Sequence, residues 1–224
     1  MTFKLDNVVP WGRSFDEYSL MFQLCDSDKA KKIASFGDGP SSFNYEATQK
    51  GYSIFSFDPI YQFSKEELQN RIEEVRKIVM KQVEENKNNY IWNNIKDLNE
   101  LENLRISAMR VFLEDYNIGR KQGRYVEHEL PNRLQIKENS FDMGLSSHFL
   151  LLYTKLGYDF HIKAISEMLR VCKEVRIFPI LDLNSEQTEL IFNVIEYFNK
   201  RNNIEIRETS YEFQKNGNKL LIIH

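Results

Sequence analysis

The sequence predicts an α/β domain built on parallel strands, and three observations carry that prediction. A short apolar run at residues 33–36 stops at Gly37 and Gly39. A second run at 53–57 stops at Asp58-Pro59, and a segment with apolar residues at helical spacing lies between the two. Strand, helix and strand within about thirty residues imply a parallel pair joined by a right-handed crossover.

The remaining elements follow in order. The first crossover helix has Phe43 and Ala47 on its apolar side and ends at Gly51; Pro40 suits its first turn, where a missing N–H costs nothing. From Ser64, Leu68, Ile72, Val75, Val79 and Val83 recur at helical spacing among charges. A second series, Leu101, Leu104, Ala108, Val111 and Phe112, runs to Gly119. Residues 64–118 therefore read as a helical insertion after the second strand, its charged side either solvated or turned to a substrate as a lid. Strand signals return after Gly123, briefly at 124–126 and more strongly at 141–147. Residues 157–172 read as a helix, and "EVRIFPIL" as a buried strand with Pro179 near its end. "SEQTELIFNVIEYFNKRNN" reads as an amphipathic helix opened by a Ser-x-x-Thr turn. "IEIRETS" and "KLLIIH" make a closing antiparallel pair, with Asn216, Gly217 and Asn218 as the hairpin turn.

Bulk properties exclude several functions. The net charge of −3 and the lack of a basic stripe argue against general nucleic-acid binding. Apolar runs such as "FLLLY" are far too short to span a bilayer. The first residues lack a basic region followed by a long apolar one, so no secretory signal is expected and the cytoplasm is the expected location. Cys25 and Cys172 make neither a disulfide framework nor a metal knuckle, and no pair of histidines has ligand spacing with a carboxylate or cysteine; no metal is expected.

The glycine turn "GDGPSS" is where chemistry enters. Glycines let a backbone approach a ligand, and a following helix offers free N–H groups. A dinucleotide fingerprint has a third glycine three residues after the second, where this chain has Ser42. A P-loop lysine is absent as well, and Asp38 in the turn repels phosphate. The turn therefore suits a nucleoside without phosphates better than NAD or ATP. Asp58, ending the second strand about twenty residues on, offers two carboxylate oxygens to two ribose hydroxyls. Plain turn chemistry at Gly37, Gly39 and Asp58 stays open as the alternative.

The segments "FGDGPSSFNYEATQKGYSIFSFDPIY", "LPNRLQIKENSFDMGLSSHFLLLY" and "EMLRVCKEVRIFPILDL", with "NVVPWGRSFDEY" before them and "YEFQKNGNKLLII" after, resemble a bacterial group of class I S-adenosylmethionine-dependent methyltransferases almost end to end. The resemblance implies a three-layer Rossmann-like fold over residues 1–224. It has a seven-stranded, mostly parallel sheet with an antiparallel last strand, an N-terminal helical lid over 1–30 and the insertion at 64–118. It implies S-adenosyl-L-methionine as cofactor and S-adenosyl-L-homocysteine as product. By position, Gly37, Asp38 and Gly39 would line the methionine part. Asp58 would hold the ribose, Pro59 and Ile60 would pack on adenine, and Glu129 and Leu130 would meet its edge. Ser146 and Ser147, in "SSHF", would lie where the transferred methyl points. The chain departs from the pattern where such enzymes carry an acidic residue two positions before the first glycine: here stands Ser35, or Ile33 in another register. The anchor for the methionine ammonium then comes from elsewhere, with Asp38 as the candidate.

Further candidates surround that frame. Arg13 can grip the methionine carboxylate as a fork of donors, or make a surface ion pair. Trp11 and Tyr18 can close over cofactor or acceptor through their aromatic faces, or pack on the sheet with Phe15 and Phe22. His148, in a strand-end segment, can position an acceptor or take its proton, or be a satisfied structural histidine. Tyr153 can border the acceptor or serve the core, and His128 and His161 read as surface or helix residues. The expected activity is methyl transfer to an oxygen, nitrogen or carbon of a small molecule. A non-catalytic cofactor-binding sensor or partner subunit and a nicotinamide-dependent oxidoreductase are the rival readings.

Overall fold

The computed structural model describes Val9 and residues 11–224. The remaining part of the expected N-terminal lid, residues 1–8 and 10, lies outside the described residues. Seven strands form one sheet: β1 (Lys32–Phe36), β2 (Ser53–Phe57), β3 (Tyr125–Val126), β4 (Met143–Ser147), β5 (Val175–Phe178), β6 (Ile204–Glu208) and β7 (Lys219–Ile223). Their spatial order is β3-β2-β1-β4-β5-β7-β6. β1 pairs in parallel with both β2 and β4, Ile33 standing opposite Ile54 on one side and Met143 on the other. β7 runs antiparallel between β5 and β6. The strand order reverses at β1, which opens a crevice beyond the carboxyl ends of β1 and β4, the place where open α/β sheets bind ligands.

Among the described residues six α-helices complete the layers: α1 (Phe15–Phe22), α2 (Phe43–Gln49), α3 (Lys65–Glu85), α4 (Leu98–Lys121), α5 (Tyr158–Val171) and α6 (Glu189–Asn199). Side-chain alternation along the strands divides the core in two. Ile33, Ile54, Met143, Leu145, Leu220 and Ile222 pack with α1 and α2 through Tyr18, Phe22, Phe43 and Ala47. Their neighbours Ala34, Phe36, Val175, Ile177, Leu221 and Ile223 pack with α5 and α6 through Ile165, Met168, Ile191 and Val194. Each of the larger aliphatic and phenylalanine side chains, fully buried, contributes about 1.5–3 kcal/mol. Both α1 and α3 begin with a capping box, Ser14 with Glu17 and Ser64 with Glu67, so their first N–H groups are satisfied by their own sequence.

The structure shifts several expectations. Pro40 lies before α2, which starts at Phe43 with Ser42 as its cap. Instead of opening the helix, Pro40 presses on the N-terminal segment: a Cβ added to Gly12 would sit 2.1 Å from the Pro40 carbonyl oxygen. α4 continues through Gly119 to Lys121, with the Tyr125 ring packed over Gly119. Its buried stripe is Leu101, Arg105, Ala108 and Phe112, whereas Leu104 is exposed. Helical spacing admits either series; the ion pair that Arg105 makes with Glu17 decides between them. α6 starts only at Glu189, because the chain first turns around Asp182, which accepts N–H bonds from Asn184 and Glu186. The Asn216-Gly217 turn closes from Gly217 N–H to the Gln214 carbonyl, but it belongs to a ten-residue loop rather than a tight hairpin. Gln214 in that loop pairs with Tyr90, beyond α3, which holds the loop over the crevice.

Candidate functional site

The crevice is a cavity of about 300 Å³, at the small end of ligand pockets. Its polar side begins at β1. Gly37 takes φ +69°, and an added Cβ would lie 2.6 Å from the Phe149 ring, so conformation and space both require glycine here. Asp38 follows, buried, with Oδ1 accepting bonds from the hydroxyls of Tyr18 (2.6 Å) and Ser35 and Oδ2 accepting from Ser56. Burial raises its pKa, and the three hydroxyls work against that rise. Ser35, two residues before Gly37, thus supports the acid three residues after it.

Asp58, at the end of β2, accepts the Gly39 N–H at 2.8 Å on Oδ2 and the Ile60 N–H at 2.9 Å on Oδ1. One carboxylate therefore fixes both the glycine turn and the loop after β2. Each oxygen keeps acceptor capacity toward the cavity that Asp58 lines. Burial pushes the carboxyl up to about 6, against the pull of the two N–H groups. Tyr61 donates its hydroxyl to the Gly39 carbonyl at 2.9 Å and closes the turn from below.

At the end of β4, His148 adopts φ +51° and lies against Phe178 and Tyr211. Ser147 Oγ and His148 Nδ1 share a hydrogen bond at 2.9 Å, and Ser147 Oγ also lies 3.7 Å from Met21 Sδ. The tautomer that carries its hydrogen on Nδ1 has a free Nε2 lone pair. Burial first, then the charges of Arg13 and Arg105, hold the imidazole pKa well below its ordinary value. His148 is therefore neutral at physiological pH and able to accept a hydrogen bond.

The N-terminal segment crosses above the glycine turn. The carbonyl of Arg13 accepts Ser42 N–H at 3.1 Å and the Ser41 hydroxyl at 2.6 Å. Its guanidinium lines the cavity, donates from Nη1 to the Trp11 carbonyl at 3.2 Å, and has no carboxylate partner among the described residues. Its Nε is buried without a hydrogen bond. The neighbouring cation is paired: Arg105 of α4 grips Glu17 of α1 through two bonds, 2.6 and 2.7 Å, and Tyr211 donates to the same carboxylate at 3.0 Å.

The other side of the cavity is apolar. Val79 and Val83 of α3, Leu101 of α4, Leu152, Leu183 and Phe213 line it, and all belong to one packed cluster with Trp11, Tyr90 and Tyr153. Of the residues singled out in the sequence, Trp11, Arg13, Tyr18, Gly37, Asp38, Gly39, Asp58, Pro59, Ile60, Glu129, Leu130, Ser147, His148 and Tyr153 line this cavity. Ser146 does not: one residue earlier on β4, it is fully buried on the opposite face of the strand.

His161, expected at a surface or on a helix, is on α5 and fully buried. His128, read as a surface or helix residue, stands on the loop after β3 and lines the cavity, with Nε2 buried and unpartnered. Glu17, Arg105 and Tyr211 were also missed. The one sequence signal was a charge, Arg105, falling in the apolar stripe of α4. Among the described residues no group of three or more His, Cys, Asp or Glu is placed to hold a metal ion, and no helix is long and apolar enough to cross a membrane.

No protein-family model matches the chain. It is similar to the uncharacterized protein MJ0045 of Methanocaldococcus jannaschii, 38% identical over 221 residues that cover 98% of this chain and 97% of that protein. Among solved structures it is similar to the methyltransferase domain of bacterial CtHen1, with a TM-score of 0.50 at 11% identity, covering 93% of this chain and 97% of that one. At that identity the likeness concerns the fold, a Rossmann-like methyltransferase fold. A SAM-dependent methyltransferase from Aquifex aeolicus also matches, with a TM-score of 0.45 at 11% identity, over 93% of this chain and 88% of that one.

Proposed function

We propose that this chain, which belongs to the family of the Methanocaldococcus jannaschii protein MJ0045, binds S-adenosyl-L-methionine and transfers its methyl group to a small-molecule acceptor. The observation that carries the reading is Asp58. A buried carboxylate at the end of β2, with both oxygens anchored by backbone N–H groups and capacity left on each, fits the paired hydroxyls of a ribose.

The rest of the cavity fits the same compound. Arg13, a guanidinium without a carboxylate partner among the described residues, suits the methionine carboxylate. Asp38, its charge supported by three hydroxyls, suits the ammonium that the usual acid before the turn would hold. Pro59, Ile60 and Leu130 offer apolar contact to adenine, with Glu129 and His128 at its polar edge.

The bound sulfonium supplies an already activated methyl carbon, open to displacement by an oxygen, nitrogen or carbon nucleophile. The protein's own work is alignment and exclusion of water. Ser147 orients the His148 ring, and in the tautomer with its hydrogen on Nδ1 the ring's Nε2 accepts a hydrogen bond from the acceptor's O–H or N–H. With Arg13 and Arg105 disfavouring an imidazolium, His148 steers the acceptor lone pair more than it stores a proton.

Calorimetry with S-adenosyl-L-homocysteine tests the site: a single saturable heat is expected, and none would remove the reading. Labelled S-adenosyl-L-methionine with a cell extract then tests the chemistry. A methylated product is expected, and tight binding without product in any fraction would instead mark a sensor.

A further inference from the structure

We infer that the methyl acceptor is an uncharged, predominantly apolar small molecule that lodges beneath α3 and α4 and presents one hydroxyl or N–H to His148. The inference rests on the proposed cofactor site and concerns the apolar side of the cavity, opposite the polar residues which that site uses. This side is walled by Val79, Val83, Leu101, Leu152, Leu183 and Phe213. These side chains come from four separate parts of the chain, the insertion helices and the segments after β4, β5 and β6, and they converge in one packed cluster.

The charges that line the cavity are engaged or assigned to the cofactor, Glu129 to the adenine edge. Asp38 and Asp58 are bonded to the glycine turn and its hydroxyl neighbours, and Arg105 is neutralised by Glu17. Arg13 is assigned to the methionine carboxylate. A phosphorylated or zwitterionic acceptor entering this side would give up its hydration without meeting a partner charge. A flat apolar molecule meets aliphatic walls and the rings of Tyr90 and Phe213, stacked at 4.8 Å between centroids.

In the transfer itself the acceptor's lone pair forms the new bond to the methyl carbon. The carbon–sulfur pair returns to sulfur, leaving a neutral thioether, and the acceptor's proton passes by way of His148 Nε2 to water.

The test uses a matched pair of fluorescent probes on protein saturated with S-adenosyl-L-homocysteine: neutral N-phenyl-1-naphthylamine, and 8-anilinonaphthalene-1-sulfonate, which adds a sulfonate to the same skeleton. The neutral probe is expected to bind saturably, one per chain, and at least about tenfold more tightly than the sulfonate, the minimum effect of desolvating an unpaired charge. Phe213→Ser, on a half-buried loop, and Leu183→Lys should each weaken the neutral probe by about tenfold. Affinity for S-adenosyl-L-homocysteine and the melting temperature should stay near those of the parent. Absence of saturable binding, preference for the sulfonate, or unchanged probe affinity in both variants would overturn the inference. Failure of S-adenosyl-L-homocysteine to bind in calorimetry would instead overturn the underlying cofactor reading, and the two outcomes are read separately.

Discussion

Asp58 holds its charge where burial opposes it, and the two backbone N–H groups compensate only in part. Its folded-state pKa of about 6 lies above the ordinary aspartate value, so a proton competes with a diol for the same oxygens at moderately acid pH. Affinity for S-adenosyl-L-homocysteine is therefore expected to be flat above about pH 7 and to fall by up to about tenfold per unit below pH 6. Calorimetry across pH 5–8 reads this directly, and a flat profile would remove the carboxylate from the ligand's shell. Asp58→Ala should weaken binding by about 1–3 kcal/mol, roughly five- to 150-fold, the cost of stranding such hydrogen bonds. His148 gives a second prediction: its imidazole resonances should titrate with a midpoint below that of free histidine, because burial and two guanidiniums disfavour the charged form. A midpoint at or above the free value would contradict the site's electrostatics. Asp58 and the glycine turn were legible in the sequence because each sits at the end of its own strand, where local pattern fixes position. Arg105 and Glu17, 88 residues apart, were not, since no local rule reports which distant carboxylate a buried arginine will find.

Among the elements, α1, α4 and the loop between β6 and β7 meet at the Glu17 carboxylate. It caps the start of its own helix, takes both ends of the Arg105 fork and accepts the Tyr211 hydroxyl. Burial alone would raise the Glu17 pKa; the Arg105 charge overrides it and draws the carboxyl down to about 2. A folded-state pKa below the unfolded one means the pair's contribution is present above about pH 4.5 and is lost as pH falls toward 2. A shift of that size corresponds to about 3 kcal/mol. Glu17→Ala leaves Arg105 buried without its partner and should cost about 3–5 kcal/mol, lowering the melting temperature by about 6–20 °C. The double change Glu17→Leu with Arg105→Met should recover most of that loss. Equal destabilisation in the two proteins would mean that the pair matters through packing rather than charge. The helices themselves were legible from period and caps, as the Ser64–Glu67 box of α3 shows. Which face α4 buries was not, because the apolar stripe permits Leu104 or Arg105 and only the tertiary partner on α1 selects the arginine.

For the molecule as a whole, the path of the N-terminal segment decides which ligands the fold can take. The order of the strands opens a crevice that would suit a dinucleotide as well as a nucleoside. A dinucleotide pyrophosphate, however, sits on the free N–H groups at the start of the first crossover helix. Here the Arg13 carbonyl takes the Ser42 N–H and the Ser41 hydroxyl takes the Phe43 N–H. Gly12, pressed against Pro40, keeps the segment in place. The missing third glycine was visible in the sequence; the strand of backbone lying across that helix start was not, because it depends on a contact between residues about thirty apart. Ligand-induced stabilisation tests this at the scale of the whole fold. A ligand at one hundred times its Kd, bound only to the folded chain, adds about 2.7 kcal/mol. For a protein of this size that is a rise of about 5–10 °C in melting temperature. S-adenosyl-L-homocysteine is expected to produce such a rise and NAD at the same concentration none, since its pyrophosphate would have to displace the N-terminal segment and approach Asp38. A shift with NAD alone would mean that this segment leaves the helix start in solution, and would return the crevice to the dinucleotide class.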